Sequence, residues 1–151
     1  MYRRILVPME REGSKEAHLW HATQLASELR AELHLLHVIP VVSSDEYFFQ
    51  QIQVEAGSRG ARRKAEAEDY FRRLEEQMRQ RGIAIHTEIV FSTRPEDEAI
   101  LEYAAQSACD LIVLPNLRRS LLSRWIQGNI PARVQRRSSI PVLFVSEEVE
   151  Q

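Results

Sequence analysis

Short apolar runs alternate along this chain with segments of helical period, and that alternation restricts the fold more than any other feature. Ile5-Leu6-Val7, Leu33 to Ile39, Ile83 to Phe91, Asp110 to Leu114 and Ile140 to Val145 read as strands. After the first, Gly13-Ser14 supplies a turn and a cap, and Ala22, Leu25, Ala26 and Leu29 share one helical face. The stripe Ala67, Phe71, Leu74 and Met78 predicts a charged helix from about Ser58 to Arg81, with Gly82 just past its end. Ile83, Ile85, Thr87, Ile89 and Phe91 alternate with Ala84, His86, Glu88 and Val90, the period of a strand. Ser92-Thr93 offers caps, Pro95 and Glu96 suit a first turn, and Ile100, Tyr103, Ala104 and Ser107 line the next helix. The resulting order βαβαβαβαβ predicts a doubly wound α/β domain, a mostly parallel five-stranded sheet with helices on both faces. Ligands of such sheets bind outside the strands' carboxyl ends where strand order reverses, so the loops after Val7, Val38 and Leu114 are expected to meet.

A length of 151 residues suits a single domain, 1–151, with a core that needs neither disulfide nor metal. With 20 basic against 22 acidic residues the net charge of -2 offers no general attraction to nucleic acid or to an anionic membrane. Any anion site must be local. The opening residues carry no signal-peptide run and no segment has the length of a membrane span, which predicts a cytoplasmic protein. Cys109, the single cysteine, reads as a small buried residue in a reducing compartment.

The local imbalance lies between the last two strands. Arg118, Arg119, Arg124, Arg133, Arg136 and Arg137 fall there, and no acidic residue occurs from Leu111 to Ser146. Arg133, Arg136 and Arg137 read as a solvated helix end that complements the helix dipole. Arg118, Arg119 and Arg124, with Ser120 and Ser123, are candidate phosphate contacts or an ordinary solvated loop.

At these residues the chain resembles the universal stress protein family over nearly its whole length. Ile5-Leu6-Val7-Pro8, Leu35-Leu36-His37-Val38 and Asp110-Leu111-Ile112-Val113 look like the family's first, second and fourth strands. Gly128-Asn129-Ile130-Pro131-Ala132-Arg133-Val134 is similar to the start of its last helix, and Pro141-Val142-Leu143-Phe144-Val145 to its final strand. The resemblance implies an adenine nucleotide alpha hydrolase-like fold, usually a homodimer, some of whose members hold ATP in the crevice. ATP-binding members carry Gly, two residues, Gly, nine residues, then Gly and Ser or Thr. Aligned on Gly128, that spacing puts Pro115 and Arg118 at the first two glycines and Asn129 at the hydroxyl. Glu10, preceded by Pro8 and Met9, takes the place of the acid near ribose and base.

The resemblance therefore implies a degenerate nucleotide site of Pro8, Met9, Glu10, Val38, Leu114, Pro115, Arg118, Gly128, Asn129 and Ile130. Pro115 has no N–H to give a phosphate and its φ is fixed. Arg118 adds bulk where bare backbone should be, yet its guanidinium could grip a phosphate itself. Asn129 remains a good helix cap and Gly128 permits close approach to a helix start. The reading placed first is a dimeric stress-response interaction module with that site degenerate. The alternatives are a sensor that still binds ATP or AMP, with magnesium, through Arg118, Arg119, Arg124, Gly128 and Asn129, or a slow nucleotide hydrolase.

No residue pattern supports a catalytic triad or a glycine-rich phosphate loop with lysine. His18 and His21 share a helix face without completing a ligand set, so both read as solvated and no metal site is expected. His34 and His37 face opposite sides of one strand, and His37 reads as structural. Tyr47-Phe48-Phe49, in an unusually long connection, either closes the domain edge, covers the crevice as a lid, or meets a protein partner. Val142, Leu143, Phe144 and Val145 form the edge through which, by resemblance, two subunits pair.

Overall fold

The computed structural model describes residues 1–10, 16–41, 59–116, 125 and 128–146. Among the described residues five strands and four helices alternate: β1 (Arg4–Met9), α1 (Ala17–Leu29), β2 (Glu32–Pro40), α2 (Arg59–Gln80), β3 (Ile85–Ser92), α3 (Glu96–Gln106), β4 (Leu111–Asn116), α4 (Ile130–Arg137) and β5 (Val142–Ser146). All strand pairs are parallel and the order is β3-β2-β1-β4-β5. The chain lays strands outward from β1, then returns to its other side, so the reversal point is between β1 and β4. The doubly wound sheet expected from the alternation is the one observed. No helix among the described residues is long and apolar enough to cross a membrane.

Side-chain alternation along the strands feeds two apolar layers. Ile5, Val7, Leu33, Leu35, Leu111 and Val113 point to the face covered by α1 and α2. Leu6, Leu36, Val38, Ile112 and Leu114 point to the face covered by α3 and α4. The stripe on α2 is buried throughout, from Ala67 to Met78. That helix ends in two backbone bonds, from Gly82 N–H to Arg79 O (3.0 Å) and from Ile83 N–H to Met78 O (2.9 Å), with Gly82 at φ +73°. This is the Schellman arrangement, and the positive φ is what glycine supplies. A methyl at Gly82 would meet nothing within 4 Å, so Gly82→Ala isolates the backbone term. Chemical denaturation of this variant should show a loss of about 1 kcal/mol; an unchanged midpoint would mean the turn relaxes freely.

Several boundaries differ from the expectation, each for a local reason. β4 runs two residues beyond Leu114, because Pro115 keeps an extended backbone and pairs in register with Val145 on the last strand. β3 starts at Ile85 rather than Ile83, which is buried as the residue closing the α2 turn. β5 starts at Val142, after Pro141, rather than at Ile140. Glu16, not Ser14, holds the N-cap position of α1, and Ser14 lies outside the described residues. Pro95 holds that of α3, while Ser92 Oγ accepts from Arg94 N–H at 3.0 Å and shapes the preceding turn instead. Cys109 is buried, as expected, and burial pushes its thiol up to about 11.

Candidate functional site

The crevice begins where β1 and β4 part. Pairing between β1 and β2 runs from Arg4 to Met9, but pairing between β1 and β4 covers only Ile5 with Leu111 and Leu6 with Ile112. Beyond that point both strands carry a proline, Pro8 and Pro115, and neither has an N–H to extend a ladder. The splay therefore has its cause in the sequence. It opens at the carboxyl ends, at the reversal of strand order.

Two histidines hold the tail of β1 as it leaves β4. The buried His18 places Nε2 2.9 Å from Pro8 O, and the buried His37 places Nδ1 3.0 Å from Met9 O. A carbonyl only accepts, so in each case that ring nitrogen carries the proton. His37 is structural, as its sequence context suggested. His18 is not solvated: it is 1% exposed, and burial lowers its pKa to about 4 against the opposing effect of the Pro8 bond. Glu16 Oε2 stands 3.4 Å from His18 Nδ1, which would favour a charged ring, yet that nitrogen makes no hydrogen bond among the described residues. The misaligned carboxylate does not offset burial. His21 is exposed, in line with its expected solvated position.

Glu10, the next residue, crosses the crevice. Its Oε2 accepts from the backbone N–H of Trp125 at 3.2 Å. Trp125 is 1% exposed and belongs to the apolar layer of Leu6, Leu36, Val38, Leu114 and Ile130. Its indole Nε1–H donates to Glu96 Oε2 at 2.7 Å, and Glu96 is itself buried on the first turn of α3. One residue thus ties the exit of β1 to the start of α3 and closes the end of the core between them. Beside Glu96, Asp97 is fully buried, and Arg137 at the end of α4 approaches it at 3.4 Å and Glu98 at 3.5 Å. The arginine links α4 to α3, and the three acids also face the positive end of the α3 dipole.

The residues named from the sequence fall around this crevice unevenly. Pro8, Met9, Val38, Leu114 and Pro115 are buried at strand ends, Glu10 is half-buried, and Ile130 is buried under α4. Gly128 and Asn129 are exposed at the start of α4. The left-handed residue there is Asn129, at φ 55°, rather than Gly128; its side chain makes no capping hydrogen bond among the described residues, contrary to the expected cap. A Cβ on Gly128 would sit 3.4 Å from Ile130 Cδ1, an ordinary contact. Arg118, Arg119, Ser120, Ser123, Arg124 and the Tyr47-Phe48-Phe49 cluster lie outside the described residues. Val142, Leu143, Phe144 and Val145 are half-buried on β5, at one end of the sheet.

A cavity of about 190 Å³ lies beside the crevice, lined by Pro115, Asn116, Trp125, Asn129, Pro131 and Phe144 among others. Small-molecule sites usually enclose roughly 300–1,000 Å³. Sequence reasoning passed over Trp125 and Asp97 and read His18 as solvated. A lone tryptophan within a polar, basic segment was the available signal, since a buried indole requires a partner for its N–H.

A second polar cluster lies at the opposite, amino end of the sheet. Glu32 Oε1 is 3.3 Å from His34 Nε2, 3.6 Å from His86 Nε2 and 3.3 Å from Arg4 Nε. Burial lowers the His34 pKa, more than the Glu32 bond raises it, while the same bond leads the lowering of the Glu32 carboxyl.

Comparison with known proteins agrees with this architecture. Residues 1–146 match the sequence model of the universal stress protein family. Universal stress protein MJ0531 of Methanocaldococcus jannaschii is 26% identical over 155 residues, covering 97% of this chain and 84% of its own. The structure of universal stress protein UspA from Lactobacillus plantarum superposes with a TM-score of 0.77 at 23% identity, over 95% of this chain and 97% of that one. A universal stress protein crystallised in complex with cAMP gives 0.67 at 22% identity, over 96% and 97%.

Proposed function

The chain belongs to the universal stress protein family, and from that premise we propose that it is a dimeric regulatory interaction module whose adenine-nucleotide crevice is degenerate. The observation that carries this reading is the Glu10–Trp125 bond. The carboxylate that by family resemblance would stand near ribose and base accepts a backbone N–H of the chain itself. Pro115 supports the same reading from the other wall, because it is buried in β4 and has no N–H for a phosphate. Losing one charge-assisted hydrogen bond of that kind costs about 1.5–3 kcal/mol, or roughly one to two decades of affinity. The half-buried apolar strand β5 supports the dimer, since an open apolar edge is otherwise an aggregation liability.

A second reading rests on the relative solved with cAMP. On it, the crevice still takes an adenine mononucleotide, held by Arg118, Arg119 and Arg124 in place of backbone donors. The two readings give opposite signs in one experiment. Purified protein is denatured and its supernatant examined for released nucleotide, then ATP, AMP and cAMP are titrated with and without magnesium. The degenerate reading expects no nucleotide released, weak binding, and tighter binding in the Pro115→Gly, Arg118→Gly double variant. The arginine-clamp reading expects measurable AMP or cAMP binding that Arg118→Ala weakens. Tight stoichiometric ATP binding would defeat the degenerate reading, and sedimentation of the same sample should give the mass of two chains.

A further inference from the structure

The amino end of the sheet brings His86 to a pair of side chains, Glu32 and His34, that sequence spacing does not connect with it. His34 and His86 are direct partners in the parallel register of β2 and β3, so their side chains leave the sheet on one face. Their rings stack at 4.8 Å between centroids and 22° between planes. Glu32 is two residues before His34 and therefore shares that face. One nitrogen of each ring and one Glu32 oxygen all lie within 4.8 Å of one another.

We propose that Glu32, His34 and His86 form a surface site for a divalent transition-metal ion of the zinc class, with solvent completing its coordination. The spacing fits the ion. Zinc bonds to histidine nitrogen and carboxylate oxygen are about 2.0–2.1 Å, so the edge between two ligands of a tetrahedron is about 3.3 Å. The two edges from Glu32 Oε1 are 3.3 Å and 3.6 Å. The third, within 4.8 Å, closes by rotation of His86, whose side chain is 57% exposed, while His34 is held in place at 8%. Two imidazoles and one carboxylate form a donor set of the kind that binds zinc, nickel or copper ions rather than magnesium or calcium.

His34 also has the outer support that metal-binding histidines need. Its Nδ1 lies 3.0 Å from the hydroxyl of Tyr103 on α3, which fixes the ring with Nε2 toward Glu32. Arg4 works against the ion. Its guanidinium stands 3.3 Å from the same Glu32 oxygen, where it occupies the place of a cation and repels another. The Arg4 side chain is itself exposed to solvent, which leaves it room to move aside.

The site is distant from the crevice, so its test is independent of the nucleotide question. Zinc chloride alone is titrated into the chelator-treated full chain in a non-coordinating buffer, by calorimetry and by thermal unfolding. One ion per chain should bind, and the melting temperature should rise with zinc because the ion clamps edge strand β3 to β2. His86→Ala alters an exposed residue, so its fold is retained; it should weaken binding at least tenfold and abolish the thermal shift. Arg4→Gln should tighten binding several-fold by removing the competing cation. The proposal is overturned if the wild-type chain binds no zinc at millimolar concentration, or binds it no more tightly than His86→Ala.

Discussion

Trp125→Ala is expected to lower the unfolding free energy by about 3–5 kcal/mol, the usual cost of removing a large buried aromatic. The ring is 1% exposed within the layer of Leu6, Val38, Leu114 and Ile130, so its removal leaves a void that strand ends on three sides cannot easily fill. For a domain of 151 residues that corresponds to a drop in melting temperature of roughly 10 °C. Two contributions can be separated. Trp125→Phe keeps most of the volume and removes only the indole N–H that donates to buried Glu96 Oε2 at 2.7 Å, at a cost of about 1–3 kcal/mol. The backbone bond to Glu10 survives both substitutions. Urea unfolding of the two variants reads the difference directly. If Phe proves as stable as Trp, the bond to Glu96 contributes nothing and packing alone holds the residue.

The parts of this molecule legible in its sequence are those written in local period. The α2 stripe, the two-residue alternation of β3 and the apolar runs of β2 and β4 all express contacts between near neighbours and a nearby face, and each element formed where its period put it to within two residues at either end. The strand read as ending at Leu114 continues through Pro115, which lies beside the splay, where β4 is no longer paired with β1 and a missing N–H costs no ladder bond. His18 was legible and was misread. It stands one helical turn before Ala22 and two before Ala26, on the same buried face, and a polar residue in such a stripe requires a partner. Glu10 and Trp125, by contrast, are 115 positions apart, and His34 and His86 are joined only by strand register. No local period records contacts of that separation. The family resemblance located the crevice through its glycine spacing, but that spacing describes backbone shared with nucleotide-binding members and carries no information on which side chain fills the space when the glycines are replaced.

Acidification should weaken the fold through His18 before the carboxylates take up protons. Its pKa falls from 6.5 to about 4 on folding because burial penalises the charged ring, and the Pro8 carbonyl bond only partly opposes this. The sign follows from linkage. The unfolded chain takes up the proton first, so the stability held in neutral His18 is fully present above pH 6.5 and is lost as pH falls toward 4. The full loss is about 3 kcal/mol, at 1.36 kcal/mol for each pKa unit. His34 is shifted in the same direction, so the wild-type curve alone does not isolate one ring. The measurement is therefore a difference: urea midpoints of the wild-type chain and His18→Gln, compared at several values between pH 7.5 and 4. Gln keeps an N–H able to reach Pro8 O and has no proton to gain, so its curve should be flatter across that window. Parallel curves would mean that His18 titrates as it does in the unfolded chain and that Glu16, 3.4 Å away, stabilises the charged ring after all. The proton is taken up at Nδ1, so the Nε2–H bond to Pro8 O persists in the charged ring and the tail of β1 should stay held while the fold as a whole weakens.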